Sequence, residues 1–433
     1  MSTMEISLLG SLTNVGALVI TPFCGYVMDK VGRKYGAILF GLPSVISWAV
    51  IAVTNYVPLV LAAVCIAGVG AAGQAVSSVY ISEISHDSIR GALTSTTCSG
   101  FFLGLLFSYT LGGYLSYYQV IYVHLALSVL YMLMIAVLKD SPVFLMQRGK
   151  EKEAAESIAF YRRVEVSSKV VEVELAKIRL QLDPRITSII EAGSDLTASQ
   201  QLISTEPMQA IEESAWEFLK KSESSQRALS AVLISMAVTI LMGSIVLQVY
   251  AEPLFKEAVP SMNSNQCSIF LAIDYVVATL VCAFMVDKFG RKVMMTITSI
   301  GSGIATMLLG FQLIFHWAPH WATVTLIYGF GFVYNLGAAV VPFVLTAEVF
   351  LPEVRGLGNS CSMACMWIMN FVTLIIFNPL VEILGLGPIF CGFSVICFLG
   401  AAYSQFCIPE TKGLSADAIQ LLFQRKRRNS RGF

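Results

Sequence analysis

The hexapeptide "DKVGRK", Asp29 to Lys34, sits between two long apolar runs, and nearly the same turn, "DKFGRK", returns between two more at Asp287 to Lys292. A mostly apolar chain that keeps one charged turn twice, 258 residues apart, reads as two related halves. The 433 residues are 56% hydrophobic and only 13% charged, with a mean hydropathy of +0.73. A soluble domain is about a quarter charged, so the balance points to a membrane protein. Apolar runs near the ~20 residues that a span requires recur at 6–28, 36–54, 58–80, 94–116, 119–138, 229–251, 267–286, 293–315, 323–345, 357–380 and 386–407. The pattern predicts an all-α polytopic membrane protein with eleven spans.

Each half carries a second charged motif. "YISEISHDSIRG" follows the first turn and "LTAEVFLPEVRG" follows the second; Glu83 and Arg90 are seven residues apart, as are Glu348 and Arg355, and each Arg precedes a Gly. Two motifs in the same order, on the same side and at similar spacing imply two bundles of equal topology about an axis along the membrane normal. Counted from the turn, one span precedes it in the first half and two in the second, which leaves the first half one helix short. The expected division is 1–138 as a five-helix N-terminal bundle, 139–228 as a cytoplasmic linker, 229–408 as a six-helix C-terminal bundle and 409–433 as a basic tail. Within the linker, "KDSPVFLMQRGKEKEAAESIAFYRR" and "VEVELAKIRLQL" read as short helices, and residues 187–214 as its loosest part.

The formal net charge is zero, yet with these spans every Lys and Arg except Lys256 falls on one side. The positive-inside rule makes that side cytoplasmic, with the C-terminus inside and the N-terminus outside. The first ten residues, "MSTMEISLLG", lack a basic leading region, and the run behind them has no small-residue cleavage pattern. The first span is therefore expected to act as the insertion signal. Nine of the ten cysteines fall inside the spans and Cys267 stands at the water-facing end of one; the nine read as small hydrophobes, and no disulfide framework is implied. No Asn-x-Ser/Thr sequon occurs in a loop.

Asp29 and Asp287 would stand at a helix C-terminus, opposing its dipole by ~0.3–1 kcal/mol; recurrence favours partnered carboxylates over solvated turns. Along a continuous helix, seven residues rise ~10.5 Å, so Glu83 and Arg90 need partners elsewhere. Asp29, Arg33, Glu83, Arg90, Asp287, Arg291, Glu348 and Arg355 are expected to form an ionic latch at the cytoplasmic mouth that stabilises one of two rocking states.

In "GYVMDKVGRK", "VYISEISHDSIRG", "DSPVFLMQRGKEKEA", "DKFGRK", "AEVFLPEVRG" and "IPETKG", between residues 25 and 413, the chain resembles the sugar porters of the major facilitator superfamily, and among them the insect facilitated trehalose and hexose transporters. The resemblance implies twelve helices in two six-helix bundles with a cytoplasmic helical insert, so that the first helix is missing here. It also implies alternating-access transport of a sugar, without enzymatic chemistry or a cofactor, in the plasma membrane.

The resemblance places a sugar pocket near the midplane, and several of its positions differ. "TILMG" puts Thr239 and Ile240 where the family has a Gln pair; Ile245 replaces an Asn and Cys98 a Gln. Val64 stands for an Arg, "AVVPF" keeps Pro342 but puts Phe343 for Trp, and "MWIMN" keeps Trp367 and Asn370. A carboxamide supplies both donors and acceptors, and each lost hydrogen bond is worth ~0.5–1.5 kcal/mol. An altered sugar site, a less polar solute and a non-transporting nutrient receptor all stay open. The pocket candidates are Thr239, Phe343, Trp367, Asn370 and Asp274, the last an intramembrane acid and so a candidate for proton coupling or cation binding.

His124 reads as a packed, hydrogen-bonded residue. His316 and His320 read as interface residues beside Trp317 and Trp321. Cys361 and Cys365 read as packing rather than metal ligands. The tail "RKRRNSR" reads as a topology anchor. No metal set, nucleophile–base pair or nucleic-acid motif is evident. The expected partners are a small solute and the lipid bilayer, and a monomer suffices.

Overall fold

The computed structural model describes residues 2–182, 215–350, 352–412, 414 and 418–423. Among them the secondary structure is helical throughout, with no strand. The first half runs α1 (Thr3–Ile20), a 3-10 turn at Thr21–Phe23, α2 (Cys24–Val31), α3 (Arg33–Val53), α4 (Val57–Ala72), α5 (Gln74–Ile84), α6 (Asp87–Tyr114) and α7 (Tyr117–Val137). Three short helices follow: α8 (Pro142–Gln147), α9 (Glu151–Arg162) and α10 (Lys169–Gln181). The second half comprises α11 (Ala215–Lys221), α12 (Glu223–Leu241), α13 (Ser244–Val249), α14 (Ala251–Ala258), α15 (Ser264–Phe289), α16 (Arg291–Phe315), α17 (His320–Asn335), α18 (Val341–Glu348), α19 (Pro352–Leu384) and α20 (Leu386–Cys407).

Nine helical stretches among the described residues are long and apolar enough to cross a membrane. The other two expected spans coincide with α6 and with the interrupted pair α17 and α18. The expected loosest segment, 187–214, lies outside the described residues.

Lipid tails are as apolar as Leu, so helices associate here through close packing rather than hydrophobic exclusion. Small residues let backbones touch. A β-carbon on Gly16 of α1 would lie 1.9 Å from the Cys65 carbonyl oxygen, and one on Gly68 of α4 would lie 2.0 Å from that of Thr13. The second half repeats the device where α16 crosses α20, with Gly387 lying against the Gly310 carbonyl. The bundles meet along α1 with α19 and along α6 with α15.

The halves are unequally filled. Of the apolar window of α7, 6% is buried, against 50% for α20, which occupies the matching last place in its bundle. In the second half, α12 lies against α20 and α19, with Val238 and Met242 pressed onto Gly400. The first half instead has a cavity of about 320 Å³ between α3, the α4–α5 corner and α7, lined by Phe40, Ser44, Gln74, Ser77, His124 and Tyr131. His124 stacks on Trp48 at 4.7 Å. Its Nδ1 lies 2.8 Å from the Val120 carbonyl and its Nε2 3.1 Å from Ser108 Oγ.

Several expected spans are interrupted. Composition is blind to these breaks because the flanking residues are equally apolar. Gly243, at φ 92°, separates α12 from α13, and residues 336–340 separate α17 from α18. The two interruptions adjoin, since Thr239 Oγ1 donates to the Ala338 carbonyl at 3.2 Å and Tyr334 Oη to the Thr239 carbonyl at 3.1 Å.

Candidate functional site

The two charged turns are built alike. Gly32 and Gly290 sit at φ 100° and 91°, backbone that only glycine adopts freely, so each helix stops and the next starts at once. The freed N–H groups at the start of α3 meet a carboxylate: Arg33 N and Lys34 N donate to Asp140 Oδ1 at 3.1 and 3.0 Å. At the start of α16, Arg291 N and Lys292 N donate to Glu410 at 2.8 and 3.2 Å. An anion at a helix N-terminus is stabilised by the dipole and by charge-assisted hydrogen bonds. A β-carbon on Gly32 would lie 2.3 Å from Asp140 Oδ2, and one on Gly290 would lie 2.7 Å from Glu410 Oε2. The glycines therefore also make room for the acids.

Each turn's arginine reaches into its own half. Arg33 Nε lies 2.9 Å from Glu83 Oε2, with the two side chains 8% and 14% exposed, and Arg33 Nη2 donates to Glu83 Oε1 at 2.9 Å. Arg291 Nη2 lies 2.8 Å from Glu348 Oε1. Hydroxyls complete both glutamates: Ser141 Oγ donates to Glu83 Oε2 and Thr411 Oγ1 to Glu348 Oε2 at 2.7 Å. The residue after each capping acid thus holds the glutamate that the arginine holds. Nearby, Arg162 of α9 pairs with Glu174 of α10 and donates to the Ile84 carbonyl at 3.0 Å. Tyr161, whose hydroxyl donates to the Lys139 carbonyl at 2.6 Å, has its pKa raised by burial.

Asp29, expected as a partnered carboxylate, is 77% exposed and reaches Arg33 Nη1 at only 3.7 Å; Asp140 holds the turn instead. The side chains of Arg90, Asp287 and Arg355 lie outside the described residues. Glu83 and Arg90 do not share a helix, because α5 ends at Ile84 and α6 begins at Asp87. Each of these two Arg–Glu pairs lies within its own half.

The pocket candidates separate. Thr239 is buried at the junction of the helix breaks, with its hydroxyl committed to Ala338, and Phe343 follows on α18, 39% exposed. Trp367 crosses between bundles, with Nε1 donating to Thr21 Oγ1 at 3.0 Å. Asn370, one turn along α19, is buried with its Oδ1 unpartnered. Asp274 stands apart, with its Oδ2 shut from solvent against Gly331 of α17 and no hydrogen-bond partner. None of these five lines the first-half cavity.

Three further hydrogen bonds tie the bundles at the end opposite the charged turns. Thr3 Oγ1 donates to Glu382 at 2.5 Å, Asn378 Nδ2 to Ser7 Oγ at 3.1 Å and Tyr109 Oη to the Gln248 carbonyl at 2.5 Å. Sequence reasoning missed these, and it missed Asp140, Ser141, Glu410 and Thr411. A signal existed for the last four, since an acid followed by a hydroxyl residue closes the last span of each half.

A family model described as "Sugar (and other) transporter" matches residues 1–423. The facilitated trehalose transporter Tret1 of Drosophila grimshawi is 25% identical over 431 residues, covering 97% of this chain and 43% of that protein. That of Bombyx mori is 25% identical over 431 residues, covering 96% and 79%. The chain thus spans less than half the length of the Drosophila grimshawi relative. Among solved structures, the inward-open form of the xylose transporter XylE from E. coli has a TM-score of 0.76 at 18% identity, covering 98% of this chain and 91% of that one. The human organic anion transporter MFSD10 has a TM-score of 0.58 at 16% identity, covering 92% and 83%. The fold is that of the major facilitator superfamily.

Proposed function

The chain belongs to the sugar (and other) transporter family, and from that membership we propose that it carries a sugar, a hexose or trehalose-like solute, across a membrane by alternating access. The observation that carries this reading is the meeting of two interrupted helices, at Gly243 and at residues 336–340, where Thr239 Oγ1 donates to the Ala338 carbonyl; Asn370 of α19 adds a buried carbonyl oxygen with no hydrogen-bond partner. Interrupted helices expose backbone polar groups where a solute can replace water, and carriers with this architecture bind at such breaks. The Asn370 carbonyl accepts a sugar hydroxyl, while Trp367 and Phe343 offer ring faces to its C–H surface.

Residues 1–138 and 229–408 act as the two rocking bodies, joined by the 139–228 linker and followed by the 409–433 tail. The Arg33–Glu83–Asp140 and Arg291–Glu348–Glu410 networks stiffen the cytoplasmic end of each body. Asp29, Arg90, Asp287 and Arg355 contribute the charges at the mouth between them. With the bundles tied at the opposite end, the state described is the one whose passage opens toward the turns, which we assign to the cytoplasm. The C-terminus then lies inside, the plasma membrane is the site of action, and no cofactor takes part.

The test is uptake of radiolabelled glucose and trehalose into proteoliposomes holding the purified chain. Saturable counterflow of either sugar, reduced by Asn370→Ala with protein level unchanged, is expected. Binding of sugar without flux would replace transport by a receptor function. Neither binding nor flux would remove the sugar assignment.

A further inference from the structure

Asp274 lies ten residues into α15, about 15 Å from the helix start and so near mid-membrane. Its Oδ2 has no solvent contact and no hydrogen-bond partner. Gly331 lies against it, because an added β-carbon there would stand 3.3 Å from that oxygen and 2.7 Å from the Tyr275 ring. Gly331 precedes the α17 interruption by one turn, so the carboxyl is wedged behind the junction where the two helix breaks meet. Tyr275, the next residue, is fully buried, and its ring lies 5.4 Å from that of Phe102 on α6 of the other bundle. One short stretch of α15 therefore touches both the broken helix and the opposite bundle.

Neighbouring groups offer this acid no counter-charge. Tyr275 on its own helix and Tyr328 on α17 are the titratable side chains beside it, and Tyr109 on α6 and Tyr334 on α17 lie beyond Tyr275. On the other packed helices, Glu252, Lys256 and Glu257 of α14 are exposed, and Arg291 and Lys292 of α16 stand at the opposite end. Along α6 and α15 themselves, Asp87, Arg90, Asp287 and Lys288 occupy the turn-side ends by sequence. A bare carboxylate at this depth is costly and marks a proton or ion path. A cation in its place would need several oxygen ligands, whereas a proton needs only one.

We propose that Asp274 is the proton-binding site that couples solute movement to a proton gradient: it takes up a proton when the bundles part at the end opposite the turns, holds it while α15 is packed against α17 and α6, and gives it up to the turn side once water entering the passage from there reaches the carboxyl. One proton binds from the outside and leaves to the inside with each solute; no covalent bond changes. This rests on the transport reading, and the experiment separates the two.

The full chain and Asp274→Asn are reconstituted in proteoliposomes. An inward proton gradient of one pH unit should raise wild-type sugar accumulation by up to about tenfold for one proton per solute, using glucose and trehalose as probes. Asp274→Asn should keep counterflow and lose the gradient response. Retention of the full response by Asp274→Asn overturns the proposal, as does wild-type sugar accumulation indifferent to the gradient. A readout independent of flux is the infrared C=O band of a protonated carboxyl at pH 7, expected in wild type and missing in Asp274→Asn. Absence of that band from wild type also overturns the proposal, whereas its presence without any counterflow sinks only the sugar assignment.

Discussion

Replacing Glu83 by Gln keeps its shape and removes its charge, and the structure indicates the cost. Arg33 is 8% exposed and has its guanidinium against Glu83 at 2.9 Å. Its other contacts are the Met28 carbonyl at 3.3 Å, the exposed Asp29 at 3.7 Å and the Phe144 ring at 5.3 Å. Removing one partner of a buried ion pair costs about 3–5 kcal/mol, because the other charge stays buried and uncompensated. At about 2 °C per kcal/mol for a body of this size, the melting temperature of the purified protein should fall by about 6–10 °C. Asp29, 77% exposed, supplies the control: Asp29→Asn should stay within ~0.5 kcal/mol of wild type. Thermal unfolding followed by size-exclusion fluorescence measures both. Arg33→Gln combined with Glu83→Gln should recover much of the loss, since neither charge is then stranded. A Glu83→Gln shift no larger than that of Asp29→Asn, or strictly additive single effects, would refute the argument.

Three other outcomes follow from the same geometry. Gly32→Ala should destabilise by several kcal/mol, because it combines φ 100° with a β-carbon 2.3 Å from Asp140 Oδ2, and Asp140→Gly should relieve part of that loss in a double mutant, read by melting. Trp367→Phe deletes the hydrogen bond to Thr21, worth ~0.5–1.5 kcal/mol; cysteine labelling at the bundle ends should show the two-state balance shifting by about 2- to 10-fold. Asn378→Ala with Thr3→Ala removes two ties at the end opposite the turns and should raise labelling there, while labelling at the turn end falls.

Composition and repetition made the membrane spans and the two-half plan legible, because a span needs only length and apolarity. The repeat also drew Arg33 and Glu83 to notice, although it could not say that they meet. Asp140 was passed over as the acid of the turn despite the repeated acid–hydroxyl pair, because the contact joins positions 107 residues apart and Asp29 lay nearer in sequence. The interruptions at Gly243 and at residues 336–340 were hidden for another reason: hydropathy does not report φ, and "LGAAV" is as apolar as a continuous helix. The first-half cavity was hidden because its lining depends on side-chain packing that no periodicity records.

The capping acids impose an order on synthesis. Asp140 follows the last span of the first half and Glu410 follows the last span of the second, yet each binds the amides at positions 33 and 34 or 291 and 292. While the ribosome is still making helices α3 to α7, the start of α3 has no anion and the Glu83 carboxylate has no Ser141 hydroxyl. The network forms only when the final helix of that half has been threaded and its exit residue has emerged on the correct side. Each bundle thus carries its own completion signal, and a helix inserted with inverted orientation would leave the earlier turn open.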